Sequence, residues 1–582
     1  MENGFAAPLQ ADGRPWDARL RLWEHAFLAI LAGGAYAAAF KLAENLEAAA
    51  AGMMVVALAL LFMIPRVMRP KKAVACGFVA VFGGRLVTLG WLTGVSYVGC
   101  AVLSAVCAAF VLPAIRYASV HAPPTSSHGP FRWAVQTALL YTAWESLLGF
   151  IFGGFPWNRV ATAIAAWRTG AQLAELAGAP LLTGLTALVG AAVAVLVVSS
   201  GQAWRRRAPV AVLLLVIPLS AVAGRGLLTQ AEDQLESPRN QDYVKVALVQ
   251  PSIPQPDKWS SEKIEMIYGR LEHLTRLALA DPGFAPDLVI WPEAALPDET
   301  LYSERSYALV TNLVSLIPAA EGARPASLLT GSLDILRHES DDDYGYANAA
   351  LLLGPYGKIL GNYAKRKLVI VGEYLPVMCW LPMRVQEKLA IRFGLPLSIE
   401  PGRGTGRFQL PGRDWFLTPL ICFEDIFPGL ARADVREGSS LLVNLTNDAW
   451  FDDDSCPCQH ALNASLRAIE TRTPLLRCAN TGLTCHIDPT GRFAAVLGRP
   501  TDDSDSAVPP QIVEATDRPL PATALPGVLF AEIPIKAEPP ETLFLRCGYW
   551  LDPALAIFAA LQITLLALRR YRLRRAAVAG AQ

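Results

Sequence analysis

The chain has 582 residues, 53% hydrophobic and 18% charged, with 51 basic and 51 acidic side chains and a formal net charge of zero. That balance excludes a basic surface built for nucleic acid, and no nucleic-acid partner is expected. The average hides an uneven distribution: long apolar runs fill the residues to about 225, the stretch from about 240 to 540 has the make-up of a soluble domain, and one more apolar run follows.

Eight apolar runs, at about 23–41, 51–65, 74–94, 98–115, 132–153, 179–199, 209–224 and 551–568, approach the roughly 20 residues that a membrane-crossing helix needs. The second and seventh are short, and Arg85 interrupts the third. Basic residues between the runs test the count. Arg14, Arg19 and Arg21 precede the first run, and Arg66, Arg69, Lys71 and Lys72 follow the second. Arg116 and Arg132 bracket the loop between the fourth and fifth. Arg205, Arg206 and Arg207 follow the sixth, and Arg569, Arg570, Arg572, Arg574 and Arg575 follow the eighth. All of these fall on one side if all eight runs cross. Both termini are then expected in the cytoplasm, and the polar region between the seventh and eighth runs outside it. The first 22 residues are polar and precede a run long enough to span, a pattern unlike a cleaved signal peptide. In a bacterium with two membranes this describes a multi-pass inner-membrane protein with a periplasmic domain. Arg85 and Glu145 lie inside runs, where charges are costly and tend to face a partner. They are candidates to pair with each other, or to snorkel from slightly misjudged helix ends.

The expected divisions are 1–225 (about seven membrane helices), 240–540 (an α/β domain) and 551–575 (a last helix with a basic tail). Within the second, Val244–Gln250 reads as a first strand, 260–280 as an amphipathic helix and Asp287–Trp291 as a strand ending in Pro292-Glu293-Ala294. A helix at 303–318, a strand at 327–333 and a hairpin of 346–353 with 358–363 follow, then Lys365 and a run to Glu373. After an insertion at about 374–406, an apolar strand ends at Cys422. Strands near 441–445, 475–480 and 483–488 and a helix at 458–472 complete the alternation, which implies a layered α/β domain. Residues 499–525, rich in Asp, Pro, Ser and Thr, read as a loose surface insertion.

Three reactive side chains, Glu293, Lys365 and Cys422, sit at strand ends. A thiol at the carboxyl end of a strand, followed by the acidic first turn of a helix, lies near N–H groups that favour a thiolate. Alone, a cysteine in an apolar run is more often a buried core residue. Glu293 could equally be a first-turn acid, and Lys365-Arg-Lys a solvated basic strip. Together they supply what a thiol nucleophile needs, a base for its proton and positive charge for an oxyanion. None of His273, His338, His460 or His486 follows a strand with an obvious role, so a carboxylate and a lysine would fill both tasks.

Trp291-Pro-Glu293-Ala, Tyr363-Ala-Lys365 with Gly372-Glu373-Tyr-Leu-Pro376, and Ile421-Cys422-Phe-Glu424 resemble the three signatures of the nitrilase superfamily, whose members use a Glu–Lys–Cys triad on an αββα sandwich. With its membrane runs, the chain resembles the apolipoprotein N-acyltransferase family, bacterial enzymes that add the third acyl chain to lipoproteins. Val246–Gln250 with Lys258-Trp259, Asn447-Asp-Ala-Trp-Phe451, Pro457-Cys-Gln-His460, Arg467-Ala-Ile-Glu470, Asn480-Thr-Gly482, Glu145 and Gly154-Phe-Pro-Trp-Asn158 extend the likeness from about 140 to 550. The first four helices match only in number and hydrophobicity. The chain departs from the family at Ile370-Val371, where Pro-Phe is usual, at Phe423, where tyrosine is frequent, at Gly548-Tyr549-Trp550, and in the insertion at 499–525. No departure removes a triad member.

The resemblance implies that Glu293 takes the thiol proton and that Cys422 attacks the sn-1 ester of a phospholipid donor. Lys365 and the Phe423 N–H would hold the oxyanion, and a thioester acyl-enzyme would pass its acyl chain to the α-amine of a diacylated apolipoprotein. Glu373 and Glu424 are supporting residues, and Trp259, Trp380, Asn447 and Trp450 are the candidate substrate-binding residues. The apolar and basic mix at 374–398 suits an interfacial lid or an ordinary amphipathic surface helix. No cofactor and no metal are expected. Cys456, Cys458 and His460 lack an evident fourth ligand, although a disulfide among Cys456, Cys458, Cys478 and Cys485 is open. A monomer on a lipid bilayer suffices. The alternatives are a membrane-anchored nitrilase-type amidase that releases the acyl group to water, and a non-catalytic membrane scaffold, against which the joint presence of Glu293, Lys365 and Cys422 argues.

Overall fold

The computed structural model describes residues 22–579 except 46–47, 122–128, 200–203, 238–240, 281–282, 316–325, 338–343, 371, 375–384, 386–387, 389–398, 452, 499–510, 514–524, 537–540 and 549. Trp380, most of the 374–398 stretch and most of the 499–525 insertion therefore lie outside the described residues. Two compact units divide the chain, Met1–Gly226 with Cys547–Gln582, and Leu227–Arg546.

A helix forms at each apolar run: Leu22–Glu44, Ala49–Val67, Pro70–Thr88, Tyr97–Val120, Gly129–Leu148, Ala179–Val198, Val216–Glu236 and Leu551–Ala579. Among the described residues five are long and apolar enough to cross a membrane, starting at Trp23, Ala49, Tyr97, Ala179 and Arg207. Pro70–Thr88 carries Lys71, Lys72 and Arg85, and Gly129–Leu148 carries Arg132 and Glu145, which lowers the apolar content of both. The third run is helical only to Thr88, followed by a 3-10 turn at Gly90–Gly94. The seventh does not end at 224. After the helix Trp204–Ala211, which contains Pro209, and a 3-10 turn at Val212–Leu215, its helix continues to Glu236, where charged residues replace the apolar run.

Arg85 and Glu145 face each other at 4.0 Å, both almost fully buried. Each has further partners, as buried charges require. Arg85 Nη1 donates to the Trp157 carbonyl (3.1 Å), and its guanidinium lies over the Tyr36 ring. Glu145 accepts from the Val160 N–H (3.0 Å) and the Thr183 hydroxyl (2.7 Å). Tyr36 donates to the Asn158 carbonyl, and Asn158 to that of Thr88. The pair thus pins the loop Gly154-Phe-Pro-Trp-Asn158 between helices; snorkelling does not occur.

The second unit holds thirteen strands among the described residues: β1 Gln241–Gln250, β2 Leu288–Ile290, β3 Ser327–Arg337, β4 Tyr344–Leu353, β5 Ile359–Ala364, β6 Phe408–Gln409, β7 Phe416–Ile421, β8 Ser439–Thr446, β9 Leu475–Ala479, β10 Cys485–Ile487, β11 Phe493–Val496, β12 Ile512–Val513 and β13 Gly527–Lys536. One sheet runs β12-β13-β1-β2-β3-β4-β5, the other β11-β10-β9-β8-β7-β6. The two-residue period of a strand sorts the side chains. Val244, Val246 and Leu248 of β1 meet Leu441, Val443 and Leu445 of β8 in a core between the sheets. Ala247 and Val249 point the other way, against the helix Ile264–Ala280 and, through the same cluster, Glu304–Ser315. On the outer face of the second sheet, Leu442, Leu475 and Cys485 pack on the helices Pro428–Arg436 and Ser455–Thr471. Helix, sheet, sheet and helix form four layers, the sandwich expected.

The strand β13 was not anticipated, yet it pairs with β1 across all ten residues. Pro534 stands in it where a ladder N–H would be lost. β12 pairs only with Gly527 and Val528, so the edge at Pro534 faces no strand among the described residues. Strands β1, β2 and β3 are mutually parallel, as are β7, β8 and β9. Their carboxyl ends open at one rim of each sheet, where ligands of α/β folds commonly bind.

Candidate active site

At the end of β2 the chain turns through Pro292-Glu293-Ala294, with Ala294 in the left-handed region (φ 43°). The turn is clamped to β3: Gly331 donates to the Pro292 carbonyl (3.1 Å) and accepts from Ala295 N–H (3.0 Å). A Cβ on Gly331 would come within 2.6 Å of the Glu293 Cα, so this close approach requires glycine. Glu293 is 8% exposed and accepts from the Asn348 side chain at 2.7 Å.

Lys365 follows β5 and is 1% exposed. Its Nζ lies 2.8 Å from Glu373 Oε1 and 3.6 Å from Glu293 Oε1. The other Glu373 oxygen accepts from Val369 N–H (2.7 Å). Burial alone would strip the proton from Lys365, but Glu373 and Glu293 more than offset it and hold the ammonium above its ordinary range.

Cys422 follows β7 in the left-handed region (φ 51°), a conformation costly for a side chain with a Cβ. Its carbonyl accepts from Asn444 Nδ2 (2.9 Å), and Ile421 N–H donates to Glu424 (2.8 Å). The helix-terminus expectation for its thiol is corrected here. The five residues Cys422–Ile426 form only a short 3-10 turn, too brief for a substantial dipole. Burial pushes the thiol up, with the charges of Glu293 and Asp448 adding to it, while Lys365 and a hydrogen bond with Thr446 pull it down. The resting group is a thiol, and its ionisation is tied to an acceptor for the proton.

Glu424 is fully buried and accepts four hydrogen bonds: from Ile421 N–H, Tyr363 Oη (2.7 Å), Arg366 N–H (2.7 Å) and Lys367 N–H (3.1 Å). It thereby ties the segment after Lys365 to the end of the Cys422 strand. Phe423 is buried edge-to-face on Phe427 at 5.2 Å. Trp259 and Trp450 are about half exposed. Asn447 is buried and spends its side chain internally, donating to Gln255 (2.9 Å) and accepting from Asn480 (2.9 Å) and Ala449 N–H.

Beneath Cys422 lies a charge cluster that the sequence reading missed. His460 Nε2 is 2.9 Å from Asp425 and 3.3 Å from the Cys422 carbonyl, and its Nδ1 is 3.1 Å from Asp448. Arg477 bridges the same aspartates, contacting Asp425 directly and Asp448 at 3.5 Å. All four side chains are at most 2% exposed. His460, weighed beside Cys456 and Cys458 as a metal ligand, thus spends its ring on carboxylates. Cys456, Cys458, Cys478 and Cys485 form no disulfide among the described residues. Burial and Arg477 would lower the His460 pKa, but Asp425 and Asp448 win and push it up to about 9. An unfolded histidine titrates near 6.5. The stabilisation is therefore complete below about pH 6.5 and is lost as pH rises through about 9, by roughly 3 kcal/mol. Thermal unfolding of the detergent-solubilised chain is expected to show a falling midpoint across that window, and His460→Gln should flatten the fall.

Asn348 is also new. Its polar side chain stands in the apolar strand Tyr344–Leu353, between Glu293 and Glu373 (2.7 and 3.5 Å). A lone amide in such a run was the available signal. Asp425, Asp448 and Arg477 gave less, because their partners lie 12 to 52 residues away.

A family model described as carbon-nitrogen hydrolase matches residues 245–514, and one described as apolipoprotein N-acyltransferase N-terminal domain matches 32–192. An apolipoprotein N-acyltransferase from Geobacter metallireducens is 36% identical over 372 residues, 61% of this chain and 64% of the relative. The match thus spans just under two thirds of that relative's length. One from Rhodopseudomonas palustris is 31% identical over 422 residues, 69% of this chain and 73% of the relative. A solved Saccharomyces cerevisiae structure of the nitrilase superfamily has 17% identity and a TM-score of 0.33, covering 53% of this chain and 95% of its own, too slight a likeness to bear on the site.

Proposed function

Since the chain belongs to the apolipoprotein N-acyltransferase family, we propose that it moves an acyl chain from the sn-1 position of a phospholipid, phosphatidylethanolamine foremost, to the α-amine of a diacylglyceryl-cysteine apolipoprotein. The observation that carries this reading is the meeting of Glu293 and Lys365, the latter held by Glu373, beside a strained, partly buried Cys422 whose thiol feels both the Glu293 and the Lys365 charge.

Glu293 accepts the thiol proton as Cys422 Sγ attacks the ester carbonyl. Lys365 and the Phe423 N–H stabilise the oxyanion. Collapse breaks the ester C–O bond, Glu293 returns the proton to the departing lysophospholipid, and the acyl group stays on sulfur as a thioester. In the second half Glu293 takes a proton from the attacking amine and passes it to the leaving thiolate, giving an amide. Glu373 keeps Lys365 charged and in place, and Glu424 fixes the distance between the Lys365 segment and the nucleophile. Trp259, Trp450 and, outside the described residues, Trp380 are assigned to substrate contact, with Asn447 holding the loops that carry the first two. The assignment keeps 1–225 and 551–575 in the bacterial inner membrane, with eight spans and both termini cytoplasmic, and 240–540 as a periplasmic catalytic domain. It acts as a monomer on the bilayer.

The test is to incubate purified protein with phosphatidylethanolamine and a diacylated lipopeptide and to weigh the products. A triacylated lipopeptide with one equivalent of lysophospholipid is expected. Free fatty acid with an unchanged lipopeptide would favour the amidase-like hydrolase instead.

A further inference from the structure

A second lysine stands at this centre. Lys258 ends the short helix Gln255–Lys258 and is 3% exposed. Its Nζ donates to the main-chain carbonyl of Glu293 at 2.9 Å, the one hydrogen bond its ammonium makes among the described residues. Delivery of this side chain is well determined. Ser252 N–H donates to the Asn480 carbonyl, Ile253 exchanges two hydrogen bonds with the Asn480 side chain, and Gln255 accepts from Asn447. The loop that carries Lys258 is thus bolted to the carboxyl ends of β8 and β9, beside Cys422.

Charge counting gives the lysine a purpose. Glu293 and Glu373 carry two negative charges, and Lys365 answers only one of them. With Lys258 the set is neutral. A site that is net negative resists moving negative charge onto sulfur, more so with Asp448 also facing Cys422.

We propose that Lys258 is a positioning residue of the reaction centre, whose buried ammonium neutralises the Glu293–Glu373–Lys365 cluster and so permits the proton of Cys422 to pass to Glu293. This deepens the proposed function and rests on its assignment of Glu293 as base and Cys422 as nucleophile. Two titratable groups face the lysine, Glu293 from the end of β2 and Cys422 from the end of β7. Burial pushes Lys258 down to about 8 against the pull of both. Below that pH the ammonium is present, and above it the charge is lost.

The test needs no lipid. The full chain in detergent is treated with iodoacetamide from pH 6 to 10, and the modification rate at Cys422 is read by peptide mass mapping for wild type, Lys258→Gln and Lys258→Met. The wild-type rate is expected to climb about tenfold per pH unit up to about 8, as the thiolate fraction grows, and then to bend to a line about tenfold below the extrapolated one, the size of a one-unit loss in thiolate stabilisation. Both variants should be about tenfold slower at pH 7 and climb without that bend. His460 titrates about a unit higher in all three proteins, so the difference between profiles isolates Lys258. A wild-type rate that climbs with one unbroken slope through pH 8 and 9 overturns the proposal. So does a Gln variant that matches wild type, since glutamine keeps a donor for the Glu293 carbonyl without the charge. If neither variant folds, the wild-type profile decides alone. A bend at pH 8 without any acyl transfer would keep the role of Lys258 and refute the lipid substrate.

Discussion

Cys422→Ser is expected to lower acyl transfer by roughly 10^4-fold or more while leaving the fold intact. Serine occupies nearly the volume of cysteine and tolerates the same φ of 51°, held by Asn444 and by Glu424 through Ile421. The hydroxyl, however, is a much weaker acid than the thiol. In a partly buried position where Glu293 and Asp448 already oppose ionisation, that difference falls directly on the attacking step. The check is the initial rate of lipopeptide acylation beside the thermal midpoint. A serine variant within tenfold of wild type would remove Cys422 from the chemistry. A collapse of the midpoint would mean that the residue is chiefly part of the core.

Lys365→Met should be costly in both rate and stability. Lys365 is 1% exposed and lies between Glu373 (2.8 Å) and Glu293 (3.6 Å). Removing one partner of a buried ion pair leaves uncompensated charge and costs about 3–5 kcal/mol. The two carboxylates would then face each other through Asn348 with no cation between them. Loss of the oxyanion partner costs a further factor of about 10^2 to 10^3. The acylation rate is thus expected to drop by at least about 10^3-fold, with a lowered thermal midpoint. Should the midpoint stay unchanged, Glu293 and Glu373 are not held by this lysine as the geometry describes.

These effects trace back to features that differ in how openly the sequence displays them. The ends of β2, β5 and β7 were legible because each apolar run stops at a charged or reactive residue, Glu293, Lys365 and Cys422. A layered α/β domain followed from the alternation of short runs and amphipathic helices, and the four-layer sandwich from the likeness to the nitrilase superfamily. The pairing of β13 with β1 was not legible, since Gln250 and Gly527 are far apart in the chain and Pro534 argues locally against a strand. The ion cluster of His460, Asp425, Asp448 and Arg477 was hidden for a related reason: each member looks like an ordinary helix, turn or strand residue until the second sheet brings them under the Cys422 carbonyl. Local pattern also misled at the thiol. An acidic turn after Cys422 suggests a helix terminus that would favour a thiolate, yet the turn is five residues long and Glu424 is used up by four donors. In the membrane unit, Arg85 and Glu145 were visible as anomalies, but their pairing needed the helices to be placed.

Intact mass spectrometry of the purified chain after incubation with phosphatidylethanolamine, with Cys422→Ala alongside, tests the central claim most directly. The expected result is an acyl-sized mass increase that hydroxylamine removes, that is absent from the variant and that a diacylated lipopeptide discharges. A folded protein whose Cys422 reacts with iodoacetamide but never carries an acyl group would contradict the thioester account.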